Sequence, residues 1–85
     1  MIIGKVIGNI WATKKDESLN GLKLLVIKPL DYFDDRKESA FVAADFIGAG
    51  VGEIVLVAKG SSARKLMKDD DVPIDAAIIG IIDPK

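Results

Sequence analysis

The sequence predicts an all-β domain: a small five-stranded OB-like barrel with one short helix between its fourth and fifth strands. Three observations carry that expectation. Five apolar segments, rich in Val and Ile, recur along 85 residues and are separated by Gly, Pro, Asp and Ser clusters. A single stretch, after Gly60, has helical spacing. The length holds one domain, 1–85, and short strands in so small a unit are most simply closed, or nearly closed, into a barrel.

Ile2 to Thr13 is the first strand. Ile3, Lys5, Ile7, Asn9, Trp11 and Thr13 fall on one face, and Ile2, Gly4, Val6, Gly8, Ile10 and Ala12 on the other. Gly4 and Gly8 mark a bend, a bulge or a close backbone approach that lets the strand curl. Lys14 to Gly21 is a polar turn. Leu22 to Leu30 is the second strand, and Pro29 ends its ladder or places it at an edge, because proline has no N–H to donate. Asp31 to Ser39 is a charged loop. Phe41 to Phe46 is the third strand, Gly48 to Gly52 a glycine loop, and Glu53 to Lys59 the fourth strand.

The helix follows. Ser61 or Ser62 is its expected cap, with Ala63, Leu66 and Met67 on one face. It is expected to stop by Lys68, before Asp69-Asp70-Asp71 and Pro73. Ala76 to Asp83 is the fifth strand. Its run has no clean alternation, which predicts burial on both sides, the second of them against another subunit.

Composition narrows the function. There are no cysteines and no histidines, which removes thiol nucleophiles, cysteine-based zinc sites and the commonest general base. A formal net charge of −1 lacks the basic excess of a nucleic-acid footprint. The longest apolar stretch, Ala76 to Ile82, falls far short of the roughly 20 residues that cross a bilayer. No basic region precedes the first apolar residues, so a signal peptide is not expected and the chain reads as cytoplasmic. Yet 49% of the residues are hydrophobic, more than one small core easily hides, and self-association is the expected outlet.

The chemistry-bearing motifs are weak. Gly48 to Gly52 opens a β-branched run, not the helix a dinucleotide fingerprint requires. Asp69 to Asp71 lacks the spacing of a calcium loop and reads as a solvated turn. Asp45 and Glu53 could be imagined as an acid–base pair, but no nucleophile accompanies them. Partnership with Lys59 or Arg64, or with another subunit, is the better reading. No cofactor and no metal are expected. A small enzyme, and a single-stranded nucleic-acid module of OB type, are the alternatives. The latter needs a basic, aromatic face, for which only Trp11 beside Lys14 and Lys15 is available.

Five motifs in order then carry a resemblance. They are Gly4-Lys5-Val6-Ile7-Gly8 with Ala12-Thr13-Lys14-Lys15; Leu19-Asn20-Gly21-Leu22-Lys23-Leu24-Leu25-Val26; Val42-Ala43-Ala44-Asp45-Phe46-Ile47-Gly48-Ala49-Gly50-Val51-Gly52-Glu53; Gly60-Ser61-Ser62-Ala63-Arg64; and Pro73-Ile74-Asp75-Ala76-Ala77-Ile78-Ile79-Gly80-Ile81-Ile82-Asp83. Together they resemble the EutN/CcmL family of bacterial microcompartment shell vertex proteins, nearly end to end. The resemblance implies a cyclic homopentamer that caps fivefold vertices of a shell otherwise tiled by hexamers, with no catalysis, no nucleic acid and no membrane.

It also implies candidate positions. Asp45, Gly48, Ala49, Gly50, Gly52, Glu53, Ser61, Ser62 and Arg64 are candidates for the subunit interface or axial opening, the glycines through close backbone approach. Lys14 and Lys15 are candidates for contact with neighbouring shell tiles.

Overall fold

In the computed structural model, which describes residues 1–10, 21–30, 39–66 and 74–83, the five apolar segments are all strands. They are β1 (Ile2–Asn9), β2 (Lys23–Pro29), β3 (Phe41–Asp45), β4 (Ile54–Lys59) and β5 (Ala76–Ile82), with α1 (Ser61–Arg64) between β4 and β5. The sheet runs β1-β2-β3-β5-β4 and closes on β1. Closure leaves no free sheet edge, the usual liability of a small all-β chain. All pairings are antiparallel except β3 with β5, where only Ala44 with Ala77 and Asp45 with Ile78 are in register.

The alternating pattern of the sequence builds two apolar layers. Val6, Leu25, Ile27, Ala43, Val55, Val57, Ala76 and Ile78 fill the barrel, joined by Ala49 from the β3–β4 loop. Leu24, Ala44, Ala63 and Ala77 form a second cluster, which includes α1 through Ala63. The first half of β5 therefore serves both layers: Ala76 and Ile78 point inward and Ala77 outward. From Ile79 onward β5 is only partly covered, and Ile82 is exposed. The two-sided burial expected of this strand holds for its first half within the subunit.

Two bulges shape the barrel. In β1, Val6 and Gly8 face consecutive residues of β2, Ile27 and Val26, so Ile7 is extra. In β5, Gly80 faces Leu56 and Ile78 faces Val57, so Ile79 is extra. Such bulges add twist and bend, which closure of so few strands needs. The close-approach glycine is Gly4, where a Cβ would collide with Ile27 Cγ2 inside the barrel. Pro29 lies beyond the β2–β3 ladder, which ends at Ile27, and keeps only β1 as neighbour. That satisfies the expectation set by its missing N–H.

Three details of the helix region depart from expectation. Gly60, not Ser61 or Ser62, occupies the N-cap, with φ 67° and no side-chain cap hydrogen bond. A left-handed turn fixed by the Gly60 N–H to Asp75 carbonyl bond (2.7 Å) sets the start, so both serines fall inside the helix and are exposed. Leu66 is half exposed instead of sharing the buried face of Ala63, because the helix ends at Arg64. Met67, the acidic run Asp69 to Asp71, and Trp11, Lys14 and Lys15 lie outside the described residues.

Candidate assembly surface

The loop between β3 and β4 gathers six of the predicted positions: Asp45, Gly48, Ala49, Gly50, Gly52 and Glu53. Its organiser is Asp45, the one buried charged residue among those described, with its side chain fully enclosed. Oδ1 accepts the N–H of Ile47 (2.9 Å) and of Gly48 (3.1 Å). Oδ2 accepts the N–H of Ala49 (2.8 Å) and lies 3.3 Å from Lys23 Nζ. Lys23 also donates to the Ala49 carbonyl at 2.8 Å. Burial opposes the charged form of Asp45. The three backbone N–H groups and Lys23 outweigh it and hold the carboxyl below the usual carboxylate range.

A second carboxylate ties the far end of the loop. Glu53 donates its N–H to the Gly50 carbonyl (3.1 Å), and Glu53 Oε1 accepts the Gly50 N–H (2.6 Å). Gly52, third in this four-residue turn, has φ 93°, and Gly48 has φ 96°. These are left-handed conformations that side chains resist. The Gly52 N–H then bonds to the Val6 carbonyl (2.8 Å), which fastens the turn to β1.

The expectation that Asp45 or Glu53 would pair with Lys59 or Arg64 is thereby corrected. Both carboxylates serve the loop's own backbone, and the cation is Lys23, opposite Asp45 in the β2–β3 register. Lys59 instead lies 4.1 Å from the Phe41 ring centroid. Within the subunit, Gly48 and Gly52 serve tight turns. A Cβ at Gly48 or Gly52 meets nothing within 4 Å, and at Gly50 only Glu53 Oε1 at 3.3 Å. The backbone of Gly48 and Gly52 demands glycine, whereas the space around them does not. Ser61, Ser62 and Arg64 sit exposed on α1, away from the loop's hydrogen-bond network.

With its backbone so restrained, the loop holds Phe46 and Ile47 outward, 49% and 50% exposed. They join Leu66, Ile78 and Ile79 around an open apolar groove of about 320 Å³. These groove residues, and Lys23, were not among the predicted positions. An aspartate at a strand end followed two to four residues on by free N–H groups is a recognisable turn signal. The groove is not readable in the sequence, since it depends on the Ile79 bulge and the early end of α1.

Comparison with known proteins now decides the family. Residues 1–83 match the family described as ethanolamine utilisation protein EutN/carboxysome. The chain belongs to the EutN/CcmL family. It is 49% identical, over 98% of its length and 93% of the relative's, to the bacterial microcompartment shell vertex protein GrpN of Rhodospirillum rubrum. It is 46% identical, over 98% of its length and 83% of the relative's, to the carboxysome shell vertex protein CcmL of Synechocystis. Among solved structures, the pentameric GrpN microcompartment shell protein superposes with a TM-score of 0.82 at 48% identity, covering 99% of this chain and 95% of that one. Members of this family are thus structural shell proteins, and the closed barrel seen here is their fold.

Proposed function

We propose that this chain assembles into a cyclic homopentamer that occupies the fivefold vertices of a bacterial microcompartment shell and closes it against hexameric tiles. The role is geometric and involves no catalysis. A sheet of hexagonal tiles is flat, and fivefold units at its corners supply the curvature that makes a closed polyhedron. The observation that carries the reading is the likeness, at 48% identity, to a solved pentameric shell protein. The exposed apolar groove agrees with it, because a monomer gains nothing by displaying such a surface to water. The alternative, an OB-type nucleic-acid module, calls for a basic groove. The lining here has neither lysine nor arginine.

Native mass spectrometry tests the ring first. Five copies of the 9.1 kDa chain give about 45 kDa. Co-expression with a hexameric shell protein tests the vertex role: closed polyhedra are expected with this chain, and open sheets or tubes without it. A monomer at micromolar concentration overturns the reading, and a six-membered ring removes the vertex role.

A further inference from the structure

We infer that the β3–β4 loop carries an acid-released latch: protonation of Asp45 frees Ala49 from the barrel, while the strands and the turn from Gly50 to Glu53 stay closed. The latch lies within one subunit and does not depend on the ring.

The loop is fastened at two places by different means. Its far part is tied to β1 by backbone groups: the Gly52 N–H bonds to the Val6 carbonyl (2.8 Å), and the Val6 N–H to the Glu53 carbonyl (3.0 Å). No proton taken up by a side chain breaks these two bonds. Its near part hangs on one carboxylate. Asp45 accepts the N–H groups of Ile47, Gly48 and Ala49, and among the described residues no backbone carbonyl takes any of them. Ala49 is gripped from both sides, its N–H by Asp45 and its carbonyl by Lys23 Nζ, each at 2.8 Å. That grip seats Ala49 in the barrel cluster, 1% exposed.

A proton on Asp45 undoes the grip from its centre. The ionised carboxyl is acceptor only, and every group converging on it is a donor. The neutral acid keeps one acceptor oxygen, enough for Ile47 and Gly48. Its other oxygen becomes a hydroxyl, a donor set against the Ala49 N–H and Lys23. Lys23, 52% exposed, loses its counter-charge and is free to turn to water, taking its bond to the Ala49 carbonyl with it. What still holds Ala49 is the burial of one methyl group, small beside the bonds lost.

Among the described residues the trigger is unshared. Across β2 Asp45 meets Lys23, and across β5 the apolar Ile78. Glu53 is engaged at the other end of the loop on the Gly50 N–H, and Arg64 and Lys65 stand exposed at α1. The sign follows from the same contacts. The closed loop favours the charged carboxyl, so the latch is shut at neutral pH and opens as pH falls below the ordinary value of about 3.9.

The test is an acid titration of the isotope-labelled full-length chain followed by amide and methyl NMR. The Ala49 signals are expected to move to random-coil positions with a midpoint below about 3.9, while the amides of β1, β2 and β4 keep native positions. Glu53→Gln retains an acceptor for the Gly50 N–H and is expected to leave that transition in place. Asp45→Asn is expected to show Ala49 released already at neutral pH, with no acid transition of its own. Ala49 signals that hold until the strand amides lose their native positions overturn the latch, because the acid then unfolds the whole domain. A transition that vanishes in Glu53→Gln overturns it too, since the trigger is then the other carboxylate. Should Asp45→Asn fail to fold, the titrations of the parent and of Glu53→Gln decide between these outcomes.

Discussion

Replacing Asp45 with asparagine should strip the β3–β4 loop of its organiser, and the size of the effect follows from the bonding. Asparagine keeps one acceptor oxygen, which can still take the N–H of Ile47 and Gly48. Its amide nitrogen then stands where Oδ2 stood, a donor facing two donors, the N–H of Ala49 and Lys23 Nζ. Hydrogen bonds to a charged acceptor contribute about 1.5–3 kcal/mol, and a stranded buried N–H costs about 1–3 kcal/mol. Release from burying a charge offsets part of this, leaving a net loss of about 2–4 kcal/mol. In a domain of this size each kcal/mol moves Tm by ~4–8 °C, so the variant should melt at least ~8 °C lower. Circular dichroism melts at matched protomer concentration measure it. Lys23→Ala is the comparison: its side chain is 52% exposed, and its loss should cost no more than ~1 kcal/mol. The carboxyl's lowered pKa adds a pH signature. The stability it lends is complete above the unfolded value of about 3.9 and is lost as pH falls through the lower folded value. The gap between parent and Asp45→Asn should therefore be wide at neutral pH and shrink progressively as pH falls below the unfolded value. A Tm within about 2 °C of the parent at neutral pH would refute the role given to Asp45.

Three further substitutions separate fold from assembly. Gly4→Ala drives a methyl into Ile27, a side chain with no solvent exposure, and should cost about 1–3 kcal/mol by urea titration; an unchanged midpoint would contradict the packing described. Gly52→Ala forces a side chain into φ 93° and should cost about 1–2 kcal/mol, although its Cβ meets open space; full stability would mean the turn adopts another conformation at no cost. Gly50→Val, at a position with neither a positive φ nor a backbone neighbour in its way, should disturb ring assembly more than the subunit fold. Folded, soluble rings of unchanged mass in native mass spectrometry would defeat that expectation.

Most of the barrel was legible because local signals and tertiary demands agree. The β-branched runs at Ile54–Lys59 and Ala76–Ile82, and the glycine and proline punctuation, place every strand within a few residues. The helix start was misread because serine is the stronger cap by preference, whereas Gly60 is imposed by a bond to Asp75 that comes from beyond the helix. The site was half legible. Asp45 and the glycines were found as a cluster, yet the partner of Asp45 is a cross-strand lysine 22 positions earlier, visible only once the β2–β3 register is known. The groove required more still. Phe46 and Ile47 read as strand end and loop, and nothing in their spacing tells that Leu66 and a bulged Ile79 come to meet them.

The apolar excess noted in the composition finds its explanation in where the surface is left open. A chain of 85 residues buries only about 60% of its unfolded surface, which makes the isolated subunit marginal. Here the barrel interior is filled by Leu25, Ile27 and Ile78 with valines and alanines, while Phe46, Ile47 and Leu66 remain half exposed. In the ring proposed above, these exposed residues are open to burial by a neighbour. Ring formation then stabilises the fold by mass action, and subunit stability rises with protomer concentration. This coupling suits a vertex protein: an unassembled subunit stays near its threshold of stability, and each contact closed around the ring secures the fold of both partners.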